Sequence, residues 1–122
     1  MARILVVDDD RQIRKFISHA LTRAGHETIG AEDGNDCLRV YNSTAIDLII
    51  TDIIMPDKEG IETIIELKRQ NPRVRIIAIS GGGRVGPENY LLTAKGLGAM
   101  ETLQKPFTND ELLMAVEKVL AC

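Results

Sequence analysis

Along this chain, short runs of apolar residues repeatedly stop at a polar side chain. Ile4-Leu5-Val6-Val7 runs into Asp8, Leu48-Ile49-Ile50-Thr51 ends against Asp52, and residues 74–79, apolar apart from Arg75, stop at Ser80. Continuous apolar runs of this length read as strands buried on both faces, as in a parallel sheet. Between them the period changes. Ile13, Phe16, Ile17, Ala20, Leu21 and Ala24 share one helical face, with Gly25 expected at the C-cap. Residues 27–31 read as a weaker strand, and Asp33-Gly34 opens a short helix with Cys37, Leu38 and Tyr41 on its apolar side. Residues 55–60 have the Pro and Gly content of a turn. The next helix carries Ile61, Ile64, Ile65 and Leu67 and is stopped by Asn71-Pro72. Gly81-Gly82-Gly83 opens a loop that runs to about residue 87, followed by a helix over about 88–96 and a short strand over 100–103. Thr108 and Glu111 form a capping box ahead of Leu112, Leu113, Val116, Val119 and Leu120.

Five strands alternating with five helices predict a parallel sheet covered on both faces. Right-handed crossovers with one reversal of winding give a doubly wound, flavodoxin-like α/β domain, whose common strand order is 2-1-3-4-5. The 122 residues suit one domain of this kind. Aromatic residues make up only 3% of the chain, so the core is expected to be Ile, Leu, Val and Ala. A net charge of −3, without clustered Lys and Arg, argues against direct contact with nucleic acid. No apolar run reaches membrane-spanning length and none has the form of a signal peptide. Cys37 and Cys122 fit no metal spacing and read as free thiols in a reducing compartment, which makes a cytoplasmic protein the expectation.

The topology gathers the chemistry. Asp8 and Asp9 end the first strand, Asp52 the third, Ser80 the fourth and Lys105 the fifth. All carboxyl ends of a parallel sheet lie along one edge, and ligands bind there at the switch point between strands one and three. Carboxylates held this close repel one another unless a positive charge joins them. Lys105 supplies one such charge, and a hard divalent cation such as Mg²⁺ suits oxygen ligands of this type, with a phosphoryl donor supplying the phosphate oxygens. Asp52, central on the edge, is the natural nucleophile toward a phosphoryl group, and Ser80 a donor to one of its oxygens.

Val6-Val7-Asp8-Asp9-Asp10, Asp52 with Met55-Pro56 and Gly60, Ser80, and Lys105-Pro106-Phe107 together resemble the response-regulator receiver family of two-component signalling. The resemblance covers essentially the whole chain. It implies that Asp52 is the phosphoacceptor and that Asp9, Asp52 and the backbone carbonyl of Ile54 ligate Mg²⁺, with Asp8 acting through water. It also implies a switch hydroxyl at Ser80 and a phosphoryl contact from Lys105, whose bond to Pro106 is expected to be cis. The implied donor is a phosphohistidine on a sensor histidine kinase or a histidine phosphotransfer protein. The implied output is a changed partner-binding surface over about residues 88–120, with at most slow autodephosphorylation and no other enzymatic activity. Because the chain stops after the last helix, residues 1–122 are expected to be a receiver without an output domain.

Three positions depart from the family's habit. Thr102 stands where an aromatic or His is common, Lys58 stands where an apolar residue is common, and the segment from Ser80 to Lys105 is longer than in the chemotaxis receiver. The triple glycine in that segment is expected to be mobile before phosphorylation, since glycine has the most backbone freedom to lose. Blander readings apply elsewhere. Asp10 is expected to be an N-cap, His19 and His26 surface residues, and Phe16, Tyr41, Tyr90 and Phe107 packing residues. A phosphatase of similar architecture would need an acid two residues past Asp52, where Ile54 stands; a flavin protein would want aromatics that this chain lacks. A degenerate receiver that docks without phosphorylation is the remaining alternative.

Overall fold

The computed structural model describes residues 1–53, 60–80 and 95–122. Their elements are β1 (Arg3–Val7), α1 (Arg11–Arg23), β2 (Glu27–Ala31), α2 (Gly34–Ser43), β3 (Leu48–Asp52), α3 (Gly60–Gln70), β4 (Ile76–Ser80), β5 (Glu101–Gln104) and α4 (Asn109–Leu120). The five strands form one parallel sheet in the order β2-β1-β3-β4-β5, as the alternation of elements predicts. The turn over 55–59, the triple-glycine loop and most of the helix expected over 88–96 lie outside the described residues, so four helices are numbered among those described.

Each inner strand is buried on both faces because its successive side chains serve two different cores. On β1, Ile4 and Val6 pack with Ile17 and Leu21 of α1 and with Leu112, Val116 and Val119 of α4. Leu5 and Val7 point the other way, toward Cys37 and Val40 of α2 and Ile64 and Leu67 of α3. Leu48 and Ile50 of β3 and Ile77 and Ile79 of β4 join the first layer; Ile49, Ile76 and Ala78 join the second. Each large aliphatic side chain buried this way contributes roughly 1.5–3 kcal/mol, which explains how a chain so poor in aromatics holds a core.

Helix starts follow the sequence signals. Asp10 Oδ1 accepts from the Gln12 N–H at 2.9 Å, Asp33 Oδ1 from the Asp36 N–H at 2.8 Å, and the Thr108–Glu111 capping box is complete at 3.1 and 2.9 Å. At the end of α1, Ala24 is the C-cap and Gly25 follows it at φ +96°, one residue later than expected, because the left-handed turn falls just beyond the cap. β4 begins at Ile76 rather than 74, since the turn after α3 still holds Val74 through its N–H to the Asn71 carbonyl at 3.0 Å. β5 begins at Glu101, although Met100 already donates to the Ile76 carbonyl at 2.8 Å.

Two residues expected in the core are 42% exposed, Phe16 and Ile65. On α3 the buried place beside Ile64 is taken by Thr63, and Phe16 packs at its edge against Phe107, with ring centroids 6.0 Å apart. His26, expected on the surface, is half-buried, and its Nδ1 accepts from the Ala2 N–H at 3.1 Å.

Cys37 is fully buried and Cys122 is exposed. Burial, with a smaller push from Asp36 and Asp33, raises the Cys37 thiol from 9.0 to about 12. The stability this thiol contributes is therefore complete below pH 9 and is lost as pH rises toward 12. A thiol reagent at pH 8 is expected to modify Cys122 at once and Cys37 only on unfolding; equal rates for both thiols would contradict this packing.

Candidate functional site

The register of the sheet builds the site. Val7 pairs with Thr51, Asp52 with Ile79 and Ser80 with Gln104, so Asp8, Asp52, Ser80 and Lys105 all emerge at one end of neighbouring strands. That end flanks the β1–β3 boundary, where the chain's winding direction reverses. Asp8 and Asp52 are buried, at 0% and 5% exposure, whereas Asp9 is exposed. One carboxylate oxygen from each of Asp8, Asp9 and Asp52 lies within 4.8 Å of the others.

Lys105 bridges two of these acids: its Nζ donates to Asp8 Oδ2 at 2.9 Å and to Asp52 Oδ2 at 3.0 Å. The Lys105–Pro106 bond is cis, and the Lys105 N–H donates to the Ser80 carbonyl at 2.7 Å. Asp8 Oδ1 accepts from the Asp10 N–H at 2.9 Å. Burial pushes the Asp8 carboxyl above its usual range, and the nearby Asp52 charge adds to the shift; the Asp10 N–H and Lys105 oppose it. For Lys105, burial would lower the ammonium's pKa, but the Asp8 hydrogen bond and the Asp52 charge outweigh it, so the group titrates above its usual range. Three carboxylates against one ammonium leave negative charge uncompensated, and the donors are hard oxygens that suit a cation such as Mg²⁺. Ser80 Oγ is buried and, among the described residues, has no hydrogen-bond partner. A buried hydroxyl left in this state is costly unless a ligand supplies the partner.

Four of the residues singled out from sequence, Asp8, Asp52, Ser80 and Lys105, therefore meet at one buried edge, with Asp9 at its exposed rim. Ile54 and Lys58 lie outside the described residues. Thr102 sits half-buried on β5 opposite Ala78. Two contacts were not legible in the sequence. The Gly60 N–H donates to the Ile53 carbonyl at 3.2 Å, and a Cβ on Gly60 would overlap the Asp52 carbonyl oxygen and Ile53 Cα. Arg14 Nη1 donates to the Asp8 backbone carbonyl at 2.6 Å. A glycine at the start of a helix and an arginine one turn into another are too common to signal such contacts.

Residues 4–117 match the family model described as the response regulator receiver domain. The chain belongs to the response-regulator receiver family. It is 41% identical over 122 residues to the DNA-binding transcriptional regulator NtrC of Azospirillum brasilense, a match covering 98% of this chain and 24% of that protein. It is 34% identical over 119 residues to the chemotaxis protein CheY of Bacillus subtilis (strain 168), covering 97% of each. Among solved structures, the receiver domain of NtrX from Brucella abortus superposes with a TM-score of 0.90 at 33% identity, covering 97% of this chain and 98% of that one. The chain thus spans about a quarter of the length of the NtrC relative and nearly all of the CheY relative. Receivers of this family serve as phosphoacceptors in two-component signalling, and an acidic pocket such as Asp8-Asp9-Asp52 is typical of their Mg²⁺ sites. No helix among the described residues is long and apolar enough to cross a membrane.

Proposed function

We propose that this receiver takes a phosphoryl group on Asp52 from a phosphohistidine of a sensor histidine kinase or histidine phosphotransfer protein, with Mg²⁺ held at the acidic edge. The observation that carries this reading is the Lys105 ammonium bridging Asp8 and Asp52 on the edge where the buried Ser80 hydroxyl has no partner among the described residues. Asp9, Asp52 and the backbone carbonyl of Ile54 are the direct ligands in this reading, and Asp8, with both oxygens already engaged, acts through water. When bound, Mg²⁺ offsets charge on the phosphoryl oxygens.

The remaining work falls to the chain. An Asp52 carboxylate oxygen attacks phosphorus in line, the P–N bond to the donor histidine breaks, and its electron pair leaves on the imidazole nitrogen. Lys105 turns from the carboxylates to a phosphoryl oxygen, and Ser80 Oγ donates to another. No general acid is assigned to hydrolysis, so turnover is slow and the protein acts as a switch rather than an enzyme. Its downstream protein partner binds over about residues 88–120, whose described part includes β5 and the exposed Met114 of α4.

The test is intact-protein mass after incubation with acetyl phosphate, with and without Mg²⁺. A single added phosphoryl group that requires Mg²⁺ and is absent from Asp52→Asn is expected. Unchanged mass with both acetyl phosphate and a phosphohistidine donor would leave a receiver that only docks.

A further inference from the structure

A side chain of α1 anchors the turn that carries the acids. The Asp8 N–H donates to the Ala31 carbonyl at 3.2 Å, and the two carboxylate oxygens of Asp8 accept from the Asp10 N–H and from Lys105. The Asp8 backbone carbonyl accepts from Arg14 Nη1 at 2.6 Å. That carbonyl belongs to the planar peptide group that leads into Asp9, so fixing its direction also fixes the entry to the Asp9 Cα. Asp9 needs such a hold. Its side chain is exposed, and among the described residues its carboxylate has no hydrogen-bond or ion-pair partner.

Arg14 is well seated for this task. Its own N–H donates to the Asp10 carbonyl at 3.1 Å in the first turn of α1. Its stem crosses β2 at Gly30, where an added Cβ would stand 3.8 Å from Arg14 Cδ. Asp36, which lines the same cleft as Arg14, is already engaged: Oδ1 accepts from Arg39 Nε at 3.0 Å and Oδ2 from the Glu32 N–H at 3.3 Å. The guanidinium is thus directed to a main-chain carbonyl rather than to an ion pair.

We propose that Arg14 is a positioning residue for the cation site, holding the Asp8–Asp9 peptide so that the Asp9 carboxylate faces Asp8 and Asp52. This rests on the reading of that edge as a Mg²⁺ site. Two effects of Arg14 oppose each other, which makes the inference testable. Its positive charge repels a cation, so charge alone makes the protein lacking Arg14 the tighter binder. Its hydrogen bond pre-forms the ligand geometry, so positioning makes that protein the weaker binder.

The experiment is Mg²⁺ titration by calorimetry of the wild type, Arg14→Lys and Arg14→Met, with the Asp8 carbonyl carbon resonance recorded in the metal-free proteins. The expected order of affinity is wild type, then Lys, then Met, with Met weaker by about tenfold or more. The Asp8 carbonyl resonance is expected to shift in Met and to return part-way in Lys. Should Arg14→Met not fold, Arg14→Gln, neutral and too short to reach the carbonyl, carries the same expectation. A neutral variant that binds Mg²⁺ as tightly as the wild type, or more tightly, overturns the role of Arg14. A wild type that binds no Mg²⁺ overturns the metal reading beneath it, and the wild-type titration alone tells the two failures apart.

Discussion

Lys105→Ala is expected to destabilise the metal-free protein substantially, because it leaves Asp8 and Asp52 buried together without their shared ammonium. Removing one partner of a fully buried pair costs roughly 3–5 kcal/mol, and the lower end applies here because Lys105 keeps 22% of its side chain exposed. The pH dependence separates the variant from the wild type. Lys105 titrates above its ordinary 10.5 in the folded protein, so its contribution is complete below that value and is lost as pH rises through the folded pKa. The variant lacks that alkaline loss. Asp8 already titrates above 3.8 in the folded protein, so the native state holds its proton more tightly than the unfolded chain does. Stability from Asp8 therefore grows as pH falls through its folded pKa toward 3.8, and losing Lys105 enlarges that gain. Urea unfolding at intervals from pH 4 to pH 11 spans both arms, the Asp8 gain toward 3.8 and the Lys105 loss above 10.5. Mg²⁺ is expected to restore more stability to the variant than it adds to the wild type, since the cation supplies the missing charge. Equal stability of the two proteins at pH 7 would contradict the bridging role.

Gly60→Ala carries the second large effect. In an ordinary helix interior the change would gain about 1 kcal/mol of helix propensity. At Gly60 the new methyl overlaps the Asp52 carbonyl oxygen and Ile53 Cα, both main-chain atoms that cannot swing aside. Overpacking of this kind costs typically 1–3 kcal/mol when side chains can shift, so here the loss outweighs the propensity gain. Relief has to come from moving the start of α3 or the end of β3, and Asp52 moves with the latter. The variant is expected to unfold at lower urea and to take up phosphoryl from acetyl phosphate more slowly. Gly96→Ala is the control, because nothing lies within 4 Å of its added Cβ. A Gly60→Ala protein as stable and reactive as that control would show that the close approach is dispensable.

The sheet was legible because the strongest signals in the chain are local and redundant. Residues 4–7 and 48–50 are apolar without interruption, the pattern of strands covered on both sides. The acids that stop those runs could then be placed on one edge by topology alone, without knowing a distance. Strand starts were less legible: Val74 is as apolar as Ile76, yet a turn carbonyl at Asn71 claims its N–H. Phe16 and Ile65 were misplaced for a related reason, since helical periodicity marks a face but not how far the opposing layer reaches. The contacts of Gly60 and Arg14 were invisible because both are to main-chain atoms, which carry no residue identity to read.

Asp52, and not a neighbouring acid, is expected to carry the phosphoryl group. An acyl phosphate is open to borohydride, which reduces the phosphorylated carboxyl to an alcohol and leaves free carboxylates untouched. Peptide mass spectrometry of the acetyl phosphate-treated, borohydride-reduced protein is expected to show homoserine at position 52, dependent on Mg²⁺. Homoserine at position 8 or 9, or a phosphoryl group that survives borohydride, would contradict it.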